Sequence, residues 1–563
     1  MPNQVITNPI LKGFNPDPSI CRVGKDFYLA TSTFEWYPGI QIHHSHNLAN
    51  WQLISRPLDS ERLLDMTGVP DSCGVWAPCL THADGQFWLA YTVVNRFDGN
   101  FKDTHNFLTT AADIHGPWSE PVYLNSSGFD PSLFHDRDGR KWWLNMVWDH
   151  RPDRSFFNGI LAQEYDHARQ KLLGEPRYIF RGTAFDCTEG PHIYRIGGYY
   201  YLVTAEGGTG YDHAVTVARS HEVTGPYEPD PNGPLVTARD HPDWPLQRTG
   251  HGDLVQLEDG SWYLVFLCSR RSERLPHSPM GRETAIQPVE FTDDGWIRLA
   301  HGGVLPQLEI AAPDLPGFEV APPAEHDDFD EPELGIVYQW LRTPRPSEFC
   351  SLTERPGYLR LYGMESPGSR YKQALIARRQ TDPVFTAETS LDFDPASFQN
   401  LAGLILYYNA SKFHYLFVSR DEQVGKYIGI MSCRADPGLG TVYPVDEPKI
   451  PVPDGVSISL RMQVDHEQLR FSWAAGDEDW RELPVVLDVR YLTDQAGREE
   501  GEQFTGTFIG LSTEYYTAEN RGPAHSIAKA SETGTTTTFM PDSAIFKSLD
   551  FKYDVLMQRF REM

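Results

Sequence analysis

Three acidic residues occupy matching places in widely separated parts of this 563-residue sequence. Asp17 stands in "NPDPSI", Asp130 in "GFDPSL" and Glu189 in "TEGPHI", each just ahead of an apolar, strand-like run. Carboxyl groups brought into one cavity push each other's proton affinities apart, so one can hold a proton while another accepts one, as general acid-base chemistry requires. The same three groups can equally hold a metal. Taken singly, an Asp before Pro is an ordinary turn starter; three equivalent positions favour a shared site.

What would bring them together is a repeat. The phrase around Asp17 recurs, more loosely, at Ala77-Pro-Cys-Leu, Asp130-Pro-Ser-Leu, Glu189-Gly-Pro-His-Ile and Gly252-Asp-Leu-Val, each leading through a polar turn into an aromatic, β-branched run such as "DFYLATST" or "GYYYLVTAE". That is a hairpin signature. The period, roughly 53 to 63 residues, is in the range of propeller blades and too long for helical solenoids. Five units predict an all-β protein opening with a five-bladed β-propeller over residues 1–315. In such a fold the first strand of each blade lines the axis, so residues 17, 130 and 189 are expected to face one channel.

Composition narrows the partners. The net charge of −28 repels phosphate backbones and anionic lipid, so neither nucleic acid nor membrane is an expected partner. No apolar run is long enough to span a bilayer. The opening "MPNQVITNPILKGF" lacks a basic segment followed by an apolar one, so a cytoplasmic protein is expected. The seven Cys are scattered singly, which reads as free thiols in a reducing compartment.

The set "NPDPSI", "GFDPSLF" and "TEGPH", with "VWAPCL", "STFEWYPGI", "RTGHGDLV" and "GRETAI", resembles glycoside hydrolase family 43, and within it the two-domain β-xylosidase branch. The resemblance implies an inverting exo-β-1,4-xylosidase acting on xylooligosaccharides or arabinose-containing oligosaccharides, with α-L-arabinofuranosidase activity as the alternative within the family. It implies Asp17 as general base, Glu189 as general acid and Asp130 as the group that tunes and orients the acid. It further implies Phe34, Trp76, Phe129 and Trp148 as pocket walls and Arg282 as a donor to sugar hydroxyls. His251 in "TGHGD" would orient a carboxylate or meet a structural calcium ion or its waters. The mechanism itself requires no cofactor.

Beyond a Pro- and acid-rich linker at residues 316–328, alternating apolar segments predict a concanavalin/lectin-like β-sandwich over 329–563. In the branch resembled, this domain lends a Phe that closes the pocket; Phe504 in "QFTGTF" is the matching residue, with Phe508 read as core. Residues 517–545, small and polar, read as a mobile loop. A homo-oligomer is compatible with this reading. From another class, a non-catalytic glycan-binding propeller has no need of three carboxyl groups.

Overall fold

Each copy of the repeated phrase begins an antiparallel sheet in the computed structural model, which describes residues 5–97, 99–434, 441–442, 449–496 and 503–515. The first sheet runs Ser19–Val23, Asp26–Thr31, Gln41–Ser45 and Gln52–Ser55 in spatial order. The second is built on Cys79–Ala83, Gln86–Arg96, Asp103–Ala111 and Val122–Asn125, with the short Gly74–Val75 added along its long strand. The third runs Ser132–His135, Lys141–Trp148, Phe157–Asp166 and Lys171–Phe180. Glu189–Ile196, Tyr199–Glu206, Ala214–Ser220 and Glu228–Pro229 form the fourth, again with one short addition, Val236–Thr237. Leu246–Gln256, Trp262–Arg270, Glu283–Phe291 and Ile297–Leu299 form the fifth.

The hairpins follow from local sequence. Asp84 and Gly85, both at positive φ, make the tight turn between the first two strands of the second blade, where an Asp-Gly pair matches the natural twist of the flanking strands. The second strands, rich in Trp, Phe, Tyr, Leu and Val, are buried on both faces because each blade packs against its neighbours. The five innermost strands contact one another in a closed ring, the first touching both the second and the fifth. Val5–Thr7 pairs with Glu309–Ala311, and Asn8 bonds to both Ile286 and Gln307, so the two ends of the propeller are held together at the fifth blade.

A seven-stranded sheet then stacks on a four-stranded one. The larger contains Ala374–Arg379, Phe508–Tyr515, Asn400–Asn409, Lys412–Asp421 and Gly425–Arg434. The smaller contains Val384–Leu391, Ile458–Asp465, Gln468–Ala475 and Arg481–Asp488. Apolar residues alternating along both, among them Leu404, Leu416, Ile458, Leu460 and Phe471, form the core between them. The outer face of the larger sheet packs on the propeller: Phe508 stacks on Trp36 at 3.6 Å, and Tyr407 meets the same indole edge-on. Phe508 is therefore core, as its position in the motif predicted. Trp340–Leu341 pairs with Trp36–Tyr37, adding backbone bonds to the interface. The expected loop at 517–545 lies outside the described residues. No helix among the described residues is long and apolar enough to cross a membrane.

Candidate active site

Asp17 and Asp130 sit directly before the first strands of the first and third blades, each at positive φ, 54° and 53°. For a non-glycine residue that conformation is costly and persists where the surroundings enforce it, typically at functional sites. Both side chains are buried. Glu189 opens the inner strand of the fourth blade and is partly exposed. Gly190, at φ 56°, donates its N–H to Asp130 Oδ2 at 3.1 Å, while a Cβ there would stand 3.0 Å from the His251 ring. Gly190 is thus favoured twice, for its backbone conformation and for its lack of a side chain.

The three groups act on one another electrostatically. Burial, then the charges of Glu189 and Asp17, raises Asp130 well above the ordinary carboxyl range. Burial and the charge of Asp17 push Glu189 up to about 8, against the opposing pull of Arg282 and Lys102. Neighbouring carboxyl groups of like charge raise one another's proton affinity. Asp17 is differently equipped: Ser32 donates its hydroxyl to Oδ2 at 2.5 Å, and Arg282 Nη1 lies 3.5 Å from Oδ1.

Arg282 is itself buried, donating to Thr209 Oγ1 at 3.0 Å and to the carbonyl of Phe504 at 3.4 Å, with its guanidinium beside the rings of Phe34 and Phe504. His251, on a strand whose register slips around Gly250 and Gly252, points Nδ1 toward Asp17 Oδ1 at 3.9 Å. Burial lowers its pKa to about 4, so the imidazole is neutral at physiological pH.

Calcium takes about six to eight oxygen ligands. Near His251, both oxygens of Asp253 are already occupied, accepting from Ser19, Ile20, Tyr194 and Leu254. Among the described residues, the one group of three His, Cys, Asp or Glu side chains with donor atoms close enough to share an ion lies elsewhere. Asp253 is thus engaged by the protein itself, and a calcium ion near His251 would have to be held by the imidazole and by water.

The predicted walls form a continuous aromatic belt. Ring centroids of Phe34 and Trp76 lie 6.0 Å apart, those of Trp76 and Phe129 5.0 Å, and those of Phe129 and Trp148 6.3 Å. Phe504 arrives from the sandwich and meets Phe34, Trp76 and Phe97. Its approach depends on Gly281, where a Cβ would strike the Thr505 carbonyl at 2.4 Å. Thr507 bonds to the Pro279 carbonyl through both its N–H and its hydroxyl.

Several participants escaped the sequence reading. Ser72 accepts the Phe504 N–H at 2.9 Å, offers its carbonyl to the Trp76 indole at 3.0 Å, and donates its own N–H to buried Glu35. Lys102 lies 4.2 Å from the centre of the Trp148 ring and donates to the Phe97 carbonyl. Nothing in "RFDGNFKDTH" marks that lysine as other than a solvated loop residue, and Thr209 is similarly hidden in a Gly-rich stretch.

Two carboxyl groups of raised proton affinity beside a third, with a belt of aromatic rings around them, are the equipment for hydrolysing a sugar acetal, and fold and site together define a glycosidase. Residues 6–297 match the glycosyl hydrolases family 43 model, and residues 326–525 match that of the beta-xylosidase C-terminal concanavalin A-like domain. The chain belongs to glycosyl hydrolase family 43. It is 47% identical to xylosidase/arabinosidase 43B of Humicola insolens, over 90% of this chain and 94% of that protein. It is 46% identical to a beta-xylosidase of Bacillus subtilis, over 92% and 98% of the two chains. The crystal structure of a xylan beta-1,4-xylosidase from Bacillus halodurans superposes with a TM-score of 0.88 at 48% identity, covering 91% of this chain and 97% of that one.

Proposed function

We propose that the protein is an inverting exo-β-1,4-xylosidase that removes terminal xylose from the non-reducing end of xylooligosaccharides and also accepts α-L-arabinofuranosides. The observation that carries this reading is the difference in surroundings among the carboxyl groups: burial and neighbouring negative charge raise Glu189 and Asp130 above the usual carboxyl range, while Asp17 faces Ser32 and Arg282. The names of the relatives support both pentose activities.

In this reading the terminal sugar sits on the belt of Phe34, Trp76, Phe129 and Trp148, with Arg282 donating to its hydroxyls as a planar fork. Asp17 takes a proton from water, and the oxygen attacks the anomeric carbon from the face opposite the leaving group. Glu189 delivers its proton to the glycosidic oxygen as the bond to the anomeric carbon breaks. Asp130 keeps the acid oriented. One displacement inverts the anomeric centre, so a β-linked substrate releases α-xylose. Phe504 closes one side of the cavity, which supports release of single terminal sugars and argues against the open groove an endo-arabinanase needs. Short oligosaccharides reaching the cytoplasm are the substrates this reading implies.

Proton NMR during xylobiose hydrolysis is the direct test. The first product signal should be the α anomer; initial β-xylose means a covalent intermediate and overturns the inverting mechanism. Absence of pentose release from xylobiose, aryl xylosides and aryl arabinofuranosides alike overturns the assignment of substrate.

A further inference from the structure

On the first blade, away from the carboxyl groups, a second set of side chains has the composition of a metal site. His44 and His46 are two residues apart at the end of Gln41–Ser45, so the alternation of a strand turns both to the same face. The adjacent strand pairs Phe27 with Ser45 and Tyr28 with His44, and one step further this register puts Asp26 opposite His46. The hairpin therefore assembles two imidazoles and a carboxylate from three nearby positions of one strand pair. Asp26 Oδ1 lies 2.7 Å from His44 Nε2 and 3.3 Å from His46 Nδ1, and the three donor atoms all fall within 4.8 Å of one another.

We propose that Asp26, His44 and His46 bind a divalent transition cation such as Zn²⁺. A tetrahedral ion about 2.1 Å from each ligand needs donors roughly 3.4 Å apart, a spacing this triangle reaches by small side-chain rotations. Two imidazole nitrogens with one carboxylate suit zinc, nickel or copper, and not the all-oxygen preference of calcium or magnesium. The Asp26 and His46 side chains are each 38% exposed, leaving an entry path and a coordination position for water.

The surroundings hold the ligands in place. The His44 ring lies between Tyr28, 5.2 Å away, and Phe318, 5.4 Å away, and Phe318 also meets His46 edge-on at 4.7 Å. Such packing limits ring rotation, as the outer partners of metal-bound histidines do. Phe318 belongs to the segment that follows the propeller, and its carbonyl accepts from Asn50 at 2.9 Å. A cation here would therefore fix that segment against the first blade. Asp17 precedes the strand Ser19–Val23 whereas Asp26 begins the return strand, so the cluster lies at the opposite end of the hairpin from the pocket.

The test uses the full chain, stripped with chelator and titrated with zinc chloride by calorimetry. About one equivalent should bind, weakened roughly tenfold or more in both His46→Ala and Asp26→Asn. Zinc should raise the melting temperature of the unaltered protein and not that of the variants. Hydrolysis of an aryl glycoside, unchanged in both variants, serves as the check that they are folded. No binding to the unaltered protein, or binding undiminished in both variants, overturns the proposal.

Discussion

Asp17 and Asp130 are the same residue in the same repeated phrase, each followed by Pro and each held near φ 53°, yet their hydrogen-bond partners differ. Asp17 receives a hydroxyl and faces a guanidinium. Asp130 receives one backbone N–H and faces two further carboxyl groups. The repeat supplies position and backbone. Chemical individuality comes from what surrounds each carboxyl group: Ser32 of its own blade and Arg282 of the fifth for Asp17, Gly190 and Glu189 of the fourth for Asp130. A duplicated motif thus yields two carboxyl groups suited to different tasks.

The largest expected effect tests the Asp17 side of the contrast. Asp17→Asn should lower kcat by roughly 10²- to 10⁴-fold on xylobiose and on an aryl xyloside alike, because activation of water serves both. A loss confined to xylobiose would reverse the assignment of base and acid. Glu189→Ala should be selective: a comparable loss on xylobiose, and less than about tenfold on an aryl xyloside whose leaving group departs without a proton. Steady-state kinetics with the two substrates decide between these outcomes.

Asp130 should show itself through rate and not through pH. Glu189 must be protonated to act, so activity is present below its elevated pKa and is lost as pH rises through about 8. Asp130→Asn leaves the burial of Glu189 and the charge of Asp17 in place, so kcat should fall while the alkaline limb of its profile stays near 8. A limb moved to lower pH would mean that an ionised Asp130 is what raises the acid.

The smallest effect concerns Glu35, a carboxyl group outside the repeat. Burial and the charge of Asp71 raise its pKa to about 8, against the opposing charge of Arg342, so folding takes up a proton there. The associated stability is fully present below the ordinary carboxyl pKa near 4.5 and is lost as pH rises to about 8. Glu35→Gln should therefore reduce the fall in melting temperature between pH 5 and pH 8 by a few degrees, measured by thermal scans.

The parts of the site visible in sequence are those the repeat or the family resemblance marks. Asp17, Asp130 and Glu189 could be aligned because blades recur, whereas Phe34, Trp76, Phe129 and Trp148 follow from the family resemblance. Ser72, Lys102 and Thr209 carry neither mark, since each owes its place to a loop whose course depends on contacts with other blades or with the sandwich. Glu35 and Arg342 illustrate the same limit: their backbones bond at 3.0 Å although one belongs to the propeller and the other follows the linker region. The sandwich strands were readable from alternation, but their order was not. Phe508–Tyr515 inserts between Ala374–Arg379 and Asn400–Asn409, and such long-range pairing leaves no local trace.

The ring of blades is complete once Glu309–Ala311 has met Val5–Thr7, whereas Phe504 belongs to one of the last described segments. During synthesis the reactive groups are consequently encoded, and able to gather, well before the side chain that shapes their cavity leaves the ribosome. In the proposed reading, the wall that Phe504 supplies is the last part of the cavity to be made.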